Sequence, residues 1–360
     1  MIIDCILFGG ELDILELHLK ILDDAVDWFV LVEARQTHAG QRKPLFYAEH
    51  KERFHRWSDR IVHVVLDELP ADELRKRSEI FQRNSLLRGL DKLPGLPDDV
   101  VIVADVDEIP FPEAVDQAAA MLRKGASSIG FDLATSRFYG NWIDTSVLFP
   151  VTKAFRRDAL SNPHHQRYRE TPDAVLPAAG RHISTLLTPD ETAGKLGRYA
   201  HVELDNARDA SPVHLQHCRT YAVEMAGIGL LAQLPPQEWD VILRGLVELR
   251  PNLVHTAPLP PLKARQRYLT VTRARKLLSP ESRLLPFVDR HAESSVLAAC
   301  ARLVLALTKR PRLWFEHRTW VRFSRERDAI LAEGTCSPWD PCDVCLRRID
   351  PNIQRAARQS

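Results

Sequence analysis

Along the first 135 residues, apolar runs of strand length alternate with stretches whose apolar positions recur at helical spacing. Ile2–Phe8 reads as a strand. Residues 11–22 come next, with Leu12, Leu15, Leu19 and Leu22 on one helical face. The runs at 28–32, 60–66, 100–104 and 128–133 predict four more strands. Residues 78–93 predict a helix, with Ile80, Leu86, Leu87, Leu90 and Leu93 in register, and Pro112 opens another that runs to Lys124. Strands apolar on both faces and separated by helices imply a mainly parallel sheet covered on both sides, an α/β fold of Rossmann-like type. Ligands of such sheets bind where the strands end at their carboxyl edge. The first candidates for function are therefore 9–13, 33–40, 67–68 and, above all, 105–108.

From 136 to about 256 the pattern is mixed and aromatic, with short strands and few long helices. P-L-P-P-L-K at 258–263 is a proline-broken linker, and the residues beyond it read as Arg-rich helix. The chain is thus expected to divide into an α/β unit, 1–257, and a helical extension, 258–360. With 49 basic against 48 acidic side chains the net charge is +1, which argues against a protein that binds nucleic acid by bulk charge. The first residues do not resemble a signal peptide, and no stretch reaches the ~18 uninterrupted apolar residues of a membrane span. The longest, 296–307, contains Arg302. Six cysteines in 360 residues are too sparse for a disulfide scaffold, so reduced thiols and a cytoplasmic location are expected.

The sharpest chemical feature is V-V-I-V-A-D-V-D-E-I-P at 100–110. Residues two apart on an extended segment point the same way, so Asp105 and Asp107 are expected to converge on one point at the sheet edge. Two hard oxygen donors suit Mn2+ or Mg2+, which would bridge a diphosphate and neutralise a departing nucleoside diphosphate. The competing reading is a solvated acidic turn. Glu33 ends the second strand, where a carboxylate can hydrogen-bond a base or ribose, with Thr37 and His38 in the loop beyond. Arg83 suits a diphosphate, or else a helix-surface salt bridge.

These residues sit within longer segments that resemble glycosyltransferase family 17, the β-1,4-mannosyl-glycoprotein 4-β-N-acetylglucosaminyltransferase-like family. The segments are D-C-I-L-F-G-G-E-L-D-I-L-E at 4–16, V-E-A-R-Q-T-H-A-G at 32–40 and K-P-L-F-Y-A-E-H-K-E-R-F at 43–54, then F-Q-R-N at 81–84, A-D-V-D-E-I-P at 104–110, and G-R-H-I-S with K-L-G-R-Y-A-H-V-E at 180–203. Order and spacing both match over roughly residues 1–255. The resemblance implies a GT-A fold and a metal-dependent, inverting transfer from a nucleotide sugar, usually UDP-GlcNAc, to a glycan or lipid-linked glycan. It departs from the family at Gly10, where Asn is usual, at Arg181, where Trp is usual, and at Leu187–Thr188, where glycines are favoured.

The resemblance also implies roles for further residues. Gly180 and His182 would line the donor pocket, and His201 would close the metal site beside Asp105 and Asp107. Glu108 would orient the metal ligands or touch the donor sugar. The general base on the acceptor hydroxyl would be Asp190, with Glu191 second and Glu203 third; a helix-start acid stabilised by the dipole is the alternative. A nucleotide-sugar or glycan-binding module without turnover is the rival from another class. A nucleotidyltransferase is disfavoured by the acidic G-G-E-L-D loop.

Two features lie beyond the resemblance. Cys336, Cys342 and Cys345 form C-x5-C-x2-C, half of a Zn2+ site or an incidental cluster. Residues 310–327 interleave Leu313, Trp314, Phe315, Trp320, Val321 and Phe323 with arginines, which suits either a helix packed on the catalytic unit or peripheral contact with an anionic membrane face.

Overall fold

The computed structural model describes residues 1–70, 76–145, 151–184, 186, 188–196, 206 and 208–308. In chain order the first elements are β1 (Ile2–Phe8), α1 (Leu12–Ile21), β2 (Trp28–Ala34), α2 (Phe46–Glu49), β3 (Ile61–Leu66), α3 (Lys76–Asn84), α4 (Leu86–Leu90), β4 (Val100–Asp105) and β5 (Glu108–Pro110). Next come α5 (Pro112–Arg123), β6 (Ser128–Arg137), β7 (Tyr139–Ile143), β8 (Lys153–Arg156), α6 (Pro163–Arg169), β9 (Ala174–Ile183), α7 (Pro189–Leu196), α8 (Pro212–Tyr221) and β10 (Ala232–Gln233). The chain continues with α9 (Val241–Leu249), α10 (Leu262–Arg275), α11 (Leu285–Arg290) and α12 (Ser295–Thr308).

The sheet is ordered β10-β7-β6-β8-β4-β1-β2-β3. Its β4-β1-β2-β3 block is parallel throughout, as the unbroken apolar runs require, and every residue of β1 is buried. Antiparallel pairing begins where β8 joins β4 and continues through β6, β7 and β10. Parallel pairing thus holds within the β4-β1-β2-β3 block and again between β6 and β9 of a mixed α/β sheet. Alternate residues of β1 feed two cores. Ile2, Ile6 and Phe8 meet α1, α5 and α9 on one face, while Ile3, Cys5 and Leu7 meet α4 on the other.

A third core joins Phe138 and Trp142 of the sheet to Cys218, Tyr268, Val271 and Ala298 of α8, α10 and α12. Helices on both sides of residue 257 therefore share one apolar cluster. Among the described residues no helix is long and apolar enough to cross a membrane. The three terminal cysteines and the 310–327 stretch lie outside the described residues.

Candidate functional site

β1, β2 and β4 run parallel and end side by side, so the loops after Phe8, Ala34 and Asp105 emerge at one edge. A cavity of about 310 Å³ opens there. Its lining includes Gly10, Thr37, His38, Lys43, Arg83, Asp105 and Asp107. Gly10 is explained by contact as well as by conformation: its φ is +133°, and a Cβ would come within 2.6 Å of the Phe46 ring. That is the position where the family resemblance leads one to expect Asn.

Asp105 and Asp107 do not form the simple pair that strand alternation suggests. β4 ends at Asp105, and residues 106–107 form a turn before β5, so the extended geometry stops between the two carboxylates. Asp105 Oδ1 accepts from Arg83 Nη1 at 2.8 Å, and its Oδ2 lies 3.5 Å from Arg167 Nη2. Arg83 also donates to Glu79 at 2.9 Å and to the Tyr168 hydroxyl at 3.3 Å. Its guanidinium is nearly wholly buried and thus belongs to a network rather than to the helix surface.

Asp107 faces β9 instead. Its carbonyl accepts from the Ile183 amide at 2.7 Å, and its Oδ2 lies 3.8 Å from His182 Nε2. Antiparallel pairing of β5 with β9 makes this approach, because Glu108 stands opposite His182 and Pro110 opposite Gly180. The strands come so close that a Cβ on Gly180 would sit 2.2 Å from the Ile109 carbonyl oxygen. Among the described residues, Asp107, Glu108 and His182 bring one ligand atom each within 4.8 Å of one another. Asp105 is not in that group. His201 and Glu203 lie outside the described residues.

Glu108 is 1% exposed. Both Arg167 terminal nitrogens donate to its carboxylate, the Thr152 hydroxyl adds a bond of 2.7 Å, and the Asp105 amide one of 3.0 Å. Burial pushes this carboxyl up, but the charge and hydrogen bonds of Arg167 outweigh it and hold the group at about 2. Glu108 is therefore a fixed anion behind the turn, where it orients the Asp105 backbone and Arg167 rather than meeting a sugar.

Glu33, expected to touch the nucleotide, is instead wholly buried. It accepts from the Tyr47 amide at 3.4 Å, its Oε2 lies 3.1 Å from His63 Nε2, and its Oε1 is 3.8 Å from Lys43 Nζ. What it presents to the cavity is Lys43. Burial lowers the Lys43 pKa, against the raising influence of Glu33 and Glu11. His38 holds Ser78 through Nδ1 at 2.9 Å. Arg181, the other departure from the resemblance, reaches Asp240 at 2.5 Å, and Asp240 in turn caps α9 through the Leu243 amide at 3.0 Å. An arginine here ties β9 to α9.

Of the two candidate bases among the described residues, Glu191 has a local task. Thr188 and Glu191 form a reciprocal capping box at the start of α7: the Thr188 amide and hydroxyl both donate to Glu191 Oε2, at 2.9 and 2.8 Å, and the Glu191 amide reaches Thr188 Oγ1 at 3.3 Å. Those bonds to Thr188 lower the Glu191 pKa. Asp190, one residue earlier on the first turn, is exposed.

Sequence reasoning missed Arg167 and Lys43 as site residues. Lys43 stands within a segment that carries the family resemblance, but its place depends on Glu33 being buried beneath it. Arg167 lies in P-H-H-Q-R-Y-R, which offers no local signal of a partner 59 residues away. A more open hollow of about 590 Å³, lined by Ser211, Pro286 and Asp289 among others, lies against α8 and α11 and includes none of the candidates read from the sequence.

The curated relatives that match are β-1,4-mannosyl-glycoprotein 4-β-N-acetylglucosaminyltransferases of rat, human and mouse, at 32%, 32% and 31% identity over 120 residues. Each match spans 32% of this chain and 22% of the relative. Two solved structures resemble the chain only distantly. A 4-diphosphocytidyl-2C-methyl-D-erythritol synthase from Anaerococcus prevotii has a TM-score of 0.33 at 14% identity, over 52% of this chain and 93% of that one. The mannosyltransferase PcManGT from Pyrobaculum calidifontis, in complex with GDP-Man and Mn2+, has a TM-score of 0.31 at 13% identity, over 92% and 85%. Likeness at that level carries no argument about the site. The sequence family described as "Glycosyltransferase family 17" matches residues 1–235, about two thirds of the chain, and the protein belongs to that family.

Proposed function

We propose that this protein is a metal-dependent, inverting glycosyltransferase that moves a sugar, N-acetylglucosamine from UDP-GlcNAc as the first candidate, to a hydroxyl of a glycan or lipid-linked glycan. The observation that carries the reading is the approach of Asp107 to His182 beside a cavity at the carboxyl edge of β1, β2 and β4. Family membership and the names of the matching relatives support the reaction class and N-acetylglucosamine as the sugar.

The residues present fit a divalent ion. Asp107 Oδ2 and His182 Nε2 are 3.8 Å apart, within the ~4.2 Å (twice the bond length) that two ligands of one ion can span with bonds of about 2.1 Å. One carboxylate and one imidazole suit Mn2+ better than Ca2+. When bound, such an ion neutralises charge on the diphosphate and eases its departure. In this reading Asp107 and His182 would hold it, while Arg83 and Arg167 hold the Asp105 carboxylate. Lys43 supplies a positive charge within the donor cavity.

Asp190 takes the proton of the acceptor hydroxyl. The freed oxygen bonds to the anomeric carbon as the bond from that carbon to the diphosphate oxygen breaks, and the electron pair leaves with the nucleoside diphosphate. A single displacement of this kind inverts the anomeric centre. The exposed position of Asp190 on the first turn of α7, shortly after the β9 end that binds Asp107, supports it as the base.

The test is a panel of nucleotide sugars offered with Mn2+, with Mg2+ and with EDTA. The reading requires hydrolysis or transfer that EDTA abolishes and Mn2+ restores, strongest with a UDP-sugar. Metal-dependent binding without turnover of any donor would favour a binding module instead.

A further inference from the structure

The apolar layer between β1 and α1 contains one buried ionic pair. Asp4 lies on the face of β1 that carries Ile2, Ile6 and Phe8, and His18 lies on α1 among Ile14, Leu15, Leu17 and Leu19. Both side chains are 0% exposed, and His18 Nε2 stands 2.7 Å from Asp4 Oδ2. The other ring nitrogen, Nδ1, is 2.9 Å from the backbone carbonyl oxygen of Val106, the middle residue of D-V-D.

Both neighbours of the ring are acceptors. A carbonyl oxygen can only accept, so Nδ1 carries a proton, and a second proton lies between Nε2 and the Asp4 carboxylate. Burial alone would lower the His18 pKa, but the Asp4 charge and hydrogen bond outweigh it and raise it. As a device for stability alone the pair is poor. Asp4 Oδ1 has no hydrogen-bond partner, and an apolar pair of similar volume would fill the layer without desolvating two charges.

We infer that the Asp4–His18 pair is a positioning device for the proposed metal site: it holds the Val106 carbonyl and thereby sets where the Asp107 side chain begins. The Val106 C=O and the Asp107 N–H belong to one rigid peptide plane, so a bond that fixes the carbonyl fixes that plane. The Val106 amide is anchored as well, at 3.1 Å to the Leu7 carbonyl, and the Asp107 carbonyl accepts from Ile183. His18 supplies a side-chain clamp on the Val106 carbonyl, between two anchors made by backbone. Without it the turn keeps its ends and loses control of its middle plane. Outer partners of this sort change metal affinity by about 10- to 100-fold when removed. The inference rests on the reading of Asp107 as a metal ligand, and neither His18 nor Asp4 touches the ion or the substrate.

The test compares Asp4→Val/His18→Leu with Asp4→Asn. The first fills the layer with apolar groups and leaves the Val106 carbonyl without its donor. The second lets the new amide donate to Nε2, so a neutral His18 keeps its bond to Val106. Amide exchange at Val106 and Ile183, measured without metal or nucleotide, should quicken at least about tenfold in the double variant and stay near the parent rate in Asp4→Asn. Mn2+-dependent affinity for UDP should fall by about 10- to 100-fold in the first and hold in the second, with melting temperatures close to the parent's. Should the double variant lose its fold, Asp4→Val/His18→Met, whose longer and more adaptable side chain fills the layer, carries the same comparison. Parent-like exchange and affinity in a folded variant lacking His18 would overturn the inference. A parent that binds UDP without regard to Mn2+, while exchange quickens as stated, would remove the metal reading and leave the positioning role standing.

Discussion

Arg167 and Glu108 face each other with both side chains 1% exposed, each terminal nitrogen of the guanidinium bonded to one carboxylate oxygen. The pair sits behind the D-V-D turn, and Arg167 extends from it to Asp105 Oδ2 and to the Val103 carbonyl at 3.1 Å. One buried cation thus ties β4, β5 and α6 together beneath the candidate site.

Removing Arg167 leaves Glu108 as an uncompensated buried anion. Arg167→Met should therefore cost about 3–5 kcal/mol of stability, read by urea unfolding. Arg167→Lys keeps the charge but not the fork that matches a carboxylate, so it should fall between parent and Arg167→Met. A cost below about 1 kcal/mol for Arg167→Met would show that the pair does not hold the turn.

The capping box separates the two acids of α7. Thr188→Ala should cost roughly 1 kcal/mol of local helix stability and leave turnover alone, because its hydroxyl and amide serve the helix start. Glu191→Ala should behave the same way. Asp190→Asn should depress kcat by about 100- to 10,000-fold while donor affinity holds, since a general base acts in the transition state. If Glu191→Ala rather than Asp190→Asn collapses kcat, the base is misassigned.

How much of this was legible in the sequence depends on whether local pattern or distant pairing decides the geometry. β1, β2 and β4 were legible because a strand buried on both faces must be apolar throughout, and α5 because Pro112 marks its first turn. β5 was not. Three residues, Glu108–Pro110, make no periodicity, and they become a strand only because β9 returns beside them. The same pairing brings His182 to Asp107, an approach the D-x-D spacing cannot reveal. Alternation failed at Val106 because the strand had already ended. Glu33 was read correctly as a strand-end acid, yet burial by Tyr47, His63 and Lys43 turned it inward, and those partners lie beyond its local pattern.

A separate prediction concerns the helical core around α8. His214 Nε2 lies 3.1 Å from the Met225 carbonyl, which requires a proton there, and Nδ1 lies 2.9 Å from the Tyr268 hydroxyl, so a neutral ring meets both partners. Burial, aided by the Arg275 charge, lowers its pKa to about 4. The unfolded ring titrates near 6.5, so between about 4 and 6.5 the unfolded chain binds more protons. The stability contributed by His214 is present above pH 6.5 and is lost as pH falls through about 4, a change on the order of 3 kcal/mol. Urea midpoints taken from pH 7 to pH 4 should fall less steeply for His214→Asn than for the parent. Identical slopes would contradict the assignment.

The proposed function depends first on Asp107 and His182 holding a divalent ion. The most direct measurement is a Mn2+ titration monitored by electron paramagnetic resonance, with UDP present, on the parent, Asp107→Asn and His182→Gln. One Mn2+ should bind per chain in the parent, and affinity should fall by at least about tenfold in each variant, with the fold intact by circular dichroism. Equal Mn2+ affinity in all three proteins, or none in the parent, would contradict it.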